Sequence, residues 1–198
     1  MNRAEFLQAF SFSCTPVVAW PDHPLKPSAV LVALQESAHG LEFVLTRRPG
    51  HMRQHAHQIC FAGGRHEYAD ESLLATALRE AEEELGIDPA IVNIVGELPS
   101  QPVLSRSMIH PYVGFIPQGL NFYPDPGEVE EIVKIPVLKL LDHETYYVQR
   151  VKRLLYHELV FIPHQGQLIW GATAAIIRRL ADQLYPHRVQ MVRKLPDL

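Results

Sequence analysis

Apolar residues recur along this chain with two periods, and the changes between them outline the elements. Near the start, NRAEFLQAF spaces Phe6, Leu7 and Phe10 as a short amphipathic helix does. The proline-rich WPDHPLKPS follows as an extended connector. AVLVALQ (29–35) and LEFVLTRR (41–48) predict two strands, and the ESAHG between them suits a hairpin. HMRQHAHQICFAGG continues as a loop, a short strand and a double-glycine turn. From Asp70 to Leu85 the period becomes helical, with Leu73, Leu74, Ala77, Leu78, Ala81 and Leu85 on one stripe. Gly86 stands where that helix should stop. AIVNIVGEL (90–98) and MIHPYVGFIP (108–117) predict strands. NFYPDPGEVEEI is a turn-rich loop that feeds a charged stretch, and PVLKLLD predicts a short helix. YHELVFIPHQGQLIWG reads as strand, turn and strand, and ATAAIIRRLADQL (172–184) as an amphipathic helix.

Strands flank the first long helix and a second long helix comes near the end. This predicts an α/β or α+β fold, with helices packed on a mixed sheet. There are no repeats, low-complexity tracts or convincing boundaries. The expectation is one domain over 1–198, with a helix and connector (1–27) ahead of a core of about 28–185. At 47% hydrophobic and 20% charged, 198 residues are enough to bury a real core. A net charge of −4 excludes sequence-independent nucleic-acid binding, which draws on many Lys and Arg contacts to phosphate. A nucleotide-sized ligand needs only a few cations. MNRAEFLQAFSFS carries an acidic residue and no continuous apolar run, so it does not read as a signal peptide. No segment approaches the roughly 20 apolar residues of a membrane span. Cys14 and Cys60 lie far apart, outside any CxxC, and read as buried reduced thiols. A cytoplasmic protein is expected.

REAEEELGI (79–87) concentrates carboxylates that no core needs. In a helix, Glu80, Glu83 and Glu84 share a face, and like charges there repel by a few tenths of a kcal/mol per exposed pair. Divalent cations reverse that sign, and Mg2+ in particular takes carboxylate oxygens, waters and substrate phosphates as ligands. A solvated acidic face is the alternative. The run's position after Arg79, ahead of Gly86 and downstream of FAGG, favours the cation reading.

GGRHEYADESLLATALREAEEELGI resembles the Nudix box, G-x5-E-x7-R-E-U-x-E-E-x-G-U with U aliphatic. Arg79, Glu80, Glu83, Glu84, Gly86 and Ile87 match, with Ala81 at the first U. From Gly64 to Arg79 the chain is one residue longer than the common box. The first acidic position is therefore Asp70 counted from the glycine, or Glu71 counted from the arginine. The same expansion belongs to the coenzyme A pyrophosphatase branch of the family. FVLTRRPGHMRQHAHQICFAGGRHEYADESLLATALREAEEE is similar to that branch's extended motif at Thr46, Arg47, Arg53, His55, Gln58, Phe61, Gly63, Gly64, Asp70, Ser72 and the run 76–81. DPGEVEEIVKIPV and IWGATA extend the resemblance, which covers about residues 28 to 180. Three positions depart from it: His57 replaces a Gly, Ala62 a Pro and Glu67 an Asp. A glycine near a diphosphate lets the backbone approach closely, so His57 is expected to narrow the pocket or shift substrate preference.

The resemblance implies an α/β/α sandwich with a mixed sheet and a metal-dependent diphosphatase. The implied reaction splits the pyrophosphate of coenzyme A or its derivatives into 3′,5′-ADP and 4′-phosphopantetheine. Two alternatives are another nucleoside diphosphate-X substrate and a nucleotide-binding sensor that no longer cuts. Mg2+ or Mn2+ would be held by Glu83 and Glu84, with Glu80 sharing. Asp70 or Glu71 would pair with Arg79, which is also placed to be a plain helix partner of Glu82 or Glu83. The base would be Glu128 or Glu131, spaced i, i+3 after a turn; an exposed acidic helix start explains them equally. Arg47 and Arg53 would meet phosphate oxygens. Gly63 and Gly64 would supply a tight turn and backbone N–H groups, and His55 and Gln58 would support substrate or loop. His51, His55 and His57 fit no common zinc spacing, and His66 does not complete one. Trp170 and the aromatics of YHELVFIP read as core rather than as an adenine platform. The expected partner is a small CoA-like nucleotide, with no nucleic acid and no membrane. A homodimer is common among such proteins.

Overall fold

The computed structural model describes residues 1–11, 25–52, 55–103, 106–153, 156–185 and 193–194. Cys14 and Arg53, both singled out above, lie outside the described residues. In chain order the elements are α1 (Arg3–Ser11), β1 (Lys26–Ser37), β2 (Gly40–Arg47), β3 (Ile59–Cys60), β4 (Gly63–Arg65), α2 (Leu73–Leu85), β5 (Asn93–Glu97), β6 (Gln101–Val103) and β7 (Ser107–Ile116). There follow β8 (Glu131–Pro136), α3 (Val137–Leu140), β9 (Tyr147–Arg153), β10 (Tyr156–His164), β11 (Gln167–Trp170), α4 (Gly171–Leu184) and β12 (Arg193–Lys194).

β1 sets the layers. Its middle is apolar at every position, as in a strand covered on both faces. Strand side chains alternate between faces. Leu31 and Ala33 pack with Ala81 and Leu85 of α2. Val32 and Leu34 join the opposite cluster, with Phe6 of α1 and Ile176, Ile177 and Leu180 of α4. Helices therefore cover both faces of the sheet, as the sequence predicts. The sheet has eight strands on the path β3-β2-β1-β7-β5, with β4 on β1, β6 on β7 and β8 on β2. β1 and β7 run parallel and the other pairs in this sheet antiparallel, so it is mixed. A second sheet, β11-β10-β9-β12, adds Val148, Val160, Ile162 and Ile169 to the α4 cluster. No helix among the described residues is long and apolar enough to cross a membrane.

One open alternative is decided and one boundary is corrected. DPGEVEEI does not begin a helix; Glu131 opens β8, which pairs with β2 from Arg47↔Glu131 to Glu42↔Pro136. The acidic helix starts at Leu73 rather than Asp70. Ser72 is its N-cap, accepting from the Ala75 N–H at 3.1 Å. Asp70 sits in the turn before it, free to fold back along the helix. At the other end Gly86 adopts φ +69° and donates to the carbonyls of Ala81 and Glu82. Ser72→Ala removes the N-cap bond and should cost about 1 kcal/mol, read as a lower urea midpoint with an unchanged slope.

Candidate active site

The carboxylates of α2 are organised by one arginine. Arg79 Nε donates to Asp70 Oδ1 at 2.9 Å and Nη2 to Asp70 Oδ2 at 3.2 Å, a two-pronged pair. Nη1 donates to Glu83 Oε2 at 2.8 Å, Nη2 lies 3.0 Å from Glu80 Oε1, and Nη2 also reaches the Arg65 carbonyl at 3.2 Å. The open choice between Asp70 and Glu71 thus resolves to Asp70, and the helix partner is Glu83 rather than Glu82. Asp70 further accepts from the Thr76 hydroxyl at 2.8 Å and the Glu67 N–H at 2.9 Å. Arg79 is the main cause that holds the Asp70 carboxyl well below the usual carboxylate range.

Glu84, one turn on, is in the opposite condition. It is 2% exposed, and its Oε2 has no hydrogen-bond partner. Burial pushes its pKa up to about 8; nearby Arg48 and the Gly63 N–H oppose this, while the Glu128 and Glu80 charges add to it. Arg48 Nε is likewise buried and unpartnered. Glu80 is raised too, by burial first, against the pull of Arg79. Its carboxylate lies against Gly64: a Cβ at position 64 would sit 2.3 Å from Glu80 Oε1. At Gly63 a Cβ would sit 2.4 Å from the Ala29 carbonyl oxygen, a backbone contact that cannot yield. Glu83 is exposed. Among the described residues no three His, Cys, Asp or Glu side chains converge to hold a metal ion as they stand.

The other expected residues divide between two places. Glu128, on the turn closed by its N–H to the Asp125 carbonyl (3.0 Å), raises the ionisation cost of both Glu80 and Glu84. Glu131 instead accepts from Arg47 Nε at 2.8 Å, and Arg47 also donates to Gln167. Alternation along β2 explains the split. Val44 packs on the α2 side and Leu45 on the other, so Thr46 and Arg48 follow Val44 while Arg47 follows Leu45. The cation beside Glu84 is therefore Arg48, which motif matching passed over in favour of its neighbour Arg47. Counting by twos from Val44 would have found it. Cys60 lies in the same corner, its Sγ 3.3 Å from the Thr46 hydroxyl, and burial pushes its thiol up.

His55 Nδ1 and Gln58 Oε1 meet at 2.9 Å, and both line a cavity of about 420 Å³ together with Arg48, Gly63 and Gly64. The cavity runs to the first turn of α4. His57 is not part of it. It lies in a shallower cleft with Arg47, Glu130 and Glu131, its ring 3.4 Å from Glu130, so the expected narrowing of the pocket by His57 is not seen. His57 has φ +59°, a left-handed conformation that explains a glycine at this place in the family pattern. His66 bonds Thr76 at 2.8 Å, so His55, His57 and His66 each have a separate polar partner. Trp170 is 38% exposed and stacked on Phe161 (6.3 Å between centroids), lining both spaces rather than the core as expected.

Asp70 and Glu84 should respond oppositely to isosteric change. Asp70 has a depressed folded pKa. Its contribution is complete above the ordinary value of 3.8 and is lost as pH falls through the lower folded value. Asp70→Asn should therefore cost about 2 kcal/mol at pH 7 and progressively less in acid. Glu84 has a raised folded pKa, so the metal-free wild type loses stability as pH rises from 4.5 towards about 8. Glu84→Gln escapes that loss and should melt above wild type at pH 9. Melting curves of metal-free protein from pH 3 to pH 9 check both.

Residues 25–159 match the family model of the NUDIX domain. The Yersinia enterocolitica protein named uncharacterized Nudix hydrolase NudL is 40% identical over 142 residues, 71% of this chain and 73% of its own. A Yersinia pestis protein of the same name is 40% identical over 144 residues, 71% of each chain. Among solved structures, the Nudix hydrolase RenU of M. smegmatis aligns with a TM-score of 0.55 at 14% identity, over 83% of this chain and 88% of that one. DR0079 of Deinococcus radiodurans gives 0.53 at 16%, over 82% and 90%. These two likenesses concern the fold. The family model spans more than half of the chain and carries the Arg79–Glu84 run within it, so this protein belongs to the Nudix family, as a Nudix diphosphatase.

Proposed function

We propose that the protein hydrolyses the pyrophosphate bond of coenzyme A or its derivatives, giving 3′,5′-ADP and 4′-phosphopantetheine, with Mg2+ or Mn2+ held by Glu80, Glu83 and Glu84. The observation that carries this reading is Glu84: a buried carboxylate with one orphaned oxygen, crowded by Glu80 and Glu128. Such a group is costly unless it is paired, and a hard cation is the partner this donor set suits. Bound there, the ion supplies charge neutralisation at the diphosphate and a lower pKa for the attacking water.

The chain's own residues have separate tasks. Arg79, locked by Asp70, holds Glu80 and Glu83 on the same edge, where both would be ligands of the ion. Gly64 gives Glu80 room to turn inward, and the Gly63 N–H holds Glu84. Arg48 offers an unpartnered buried N–H to phosphate oxygens. Glu128 is the general base; Glu131 is occupied by Arg47. The CoA substrate is supported by the extended match around Thr46, Arg47, His55 and Gln58, and by the place of His55 and Gln58 on the cavity wall. The same reading makes it a single-domain cytoplasmic enzyme of a small-molecule substrate.

The test is incubation of the purified protein with Mg2+ or Mn2+ and a panel of CoA, NADH, ADP-ribose and diadenosine polyphosphates, with products followed by chromatography. CoA should be cleaved to the two named products, and a preference for another member of the panel would replace the CoA assignment. Glu83→Gln and Glu84→Gln should each lower turnover by more than about 100-fold, since changes one shell further out already cost 10–100-fold in metal sites. Glu128→Gln should lose about 10²–10⁴-fold while Glu131→Gln stays near wild type. An equal loss at Glu131 would move the base.

A further inference from the structure

The chain between β7 and β8 is strapped to the end of α2 by its backbone. The last carbonyls of a helix have no partner within it. Here the Leu85 carbonyl accepts from the Tyr123 N–H at 2.9 Å, and the Glu84 carbonyl from the Asp125 N–H at 3.1 Å. The strap therefore reaches the residue whose buried carboxylate has an unpaired oxygen. At Asp125 the chain turns at once. DPGE (125–128) is the pattern of a type I turn, with Asp first and Pro second. The Asp125 carbonyl accepts from the N–H groups of Glu128 (3.0 Å) and Val129 (2.8 Å). Its carboxylate Oδ1 accepts from the Gly127 N–H at 2.8 Å. One residue thus grips Glu84 with its N–H, and Gly127, Glu128 and Val129 with its carboxylate and carbonyl.

Beyond the turn the chain is fixed again. Val129 is 3% exposed and shares an apolar cluster with Ala81 and Leu85 of α2 and with Ile87. The Glu130 N–H donates to the Arg47 carbonyl at 2.8 Å. Glu128 stands between these two anchors with its side chain exposed. An exposed carboxylate keeps its rotamer freedom, so the backbone on either side has to deliver it. It is delivered close enough for its charge to burden the ionisation of both Glu80 and Glu84.

We infer that Asp125 is the positioning residue of the general base: it sets the separation between Glu128 and the Glu84 end of the acidic edge, through the placement of its oxygens rather than through its charge. This rests on Glu128 being the base. The Asp125 carboxylate is exposed and is engaged by a backbone N–H of its own turn. An amide oxygen at the same reach serves equally, since it too accepts a hydrogen bond. A carboxylate one methylene longer keeps the charge and misplaces the acceptor. A base works only within hydrogen-bond reach of the water it deprotonates, so a turn displaced by about 1 Å is enough to cost turnover.

The experiment compares Asp125→Ala, Asp125→Asn and Asp125→Glu in the full chain, with Mn2+ and CoA or whichever member of the substrate panel is cleaved fastest. Asp125→Ala and Asp125→Glu should each lower kcat about tenfold or more, with KM changed less than about twofold. Asp125→Asn should stay within about twofold of wild type. Mn2+ affinity without substrate, read from the electron paramagnetic resonance of the free ion, should change less than about threefold in all three, because Glu80, Glu83 and Glu84 are left in place. The decisive arm is Asp125→Ala in a Glu128→Gln background. A residue that acts only through Glu128 has nothing left to position there, so the second change should lower turnover less than about twofold. A full further loss in that background, or Asp125→Asn as slow as Asp125→Ala, overturns the inference and leaves Glu128 as the base. A loss of Mn2+ affinity that matches the loss of kcat overturns it too, by making Asp125 a support of the metal edge. If Glu128→Gln keeps wild-type turnover, the base assignment falls and the positioning role falls with it. If Asp125→Ala melts early, the comparison of Asp125→Asn with Asp125→Glu decides.

Discussion

One guanidinium makes the crowded edge of α2 possible. Arg79 meets Asp70 from the preceding turn, Glu80 and Glu83 from its own helix and the Arg65 carbonyl from β4. It ties three segments together at the point where like charges would push them apart. The bidentate contact with Asp70 is the anchor, since Asp70 is also held by Thr76 and the Glu67 N–H and does not depend on Arg79 alone for its position. With that anchor in place, the helix can carry further carboxylates whose charges are not cancelled within the protein. Two carboxyls a few turns apart are thus driven in opposite directions, Asp70 down by its cation and Glu84 up by burial. Such divergence is the pattern expected of a structural carboxylate beside one whose charge the free protein does not compensate, which is why the proposed function gives Glu84 to the cation.

Much of this was legible in the sequence where local rules govern. The apolar stripe gave α2, the apolar run 29–35 gave a strand, which the structure shows covered on both faces, and the spacing of Arg79, Glu80, Glu83 and Glu84 gave the acidic edge. What was misread depended on pairing far along the chain. Glu128 and Glu131 are spaced like helix neighbours, yet β8 forms because β2 offers it a partner, and this turns Glu131 to Arg47. Arg47 and Arg48 are adjacent, and motif register alone does not say which face each takes; the pleat does. Asp70 and Glu71 were equivalent by counting because the extra residue sits in a turn, and only the N-cap at Ser72 sets where the helix begins. Trp170 looked like core because it ends an apolar strand, but the strand belongs to the second sheet, where that position faces the cavity mouth.

The double glycine is where the two sides of the sheet communicate. Gly64 makes room for Glu80 on the α2 side, and Gly63 passes so close to Ala29 and Val30 that no side chain fits. A larger residue at either place would thicken the partition between the glutamates and the cavity beneath α4. The histidine at 57 lies away from this partition, since its left-handed backbone carries the ring to the neighbouring cleft beside Glu130.

The burial of Glu84 and Arg48 also bears on strength rather than position. Both have an unpartnered polar atom in a region with little water, and charge interactions there are several times stronger than at the surface. In the free protein this is a cost, seen in the raised pKa of Glu84. On the proposed function, a cation and a diphosphate bound here would gain from the same low-dielectric surroundings. The cost that the buried Glu84 imposes on the empty edge is offset by the Asp70–Arg79 anchor at the start of the same helix, and on the proposed function that cost is what a bound cation would relieve.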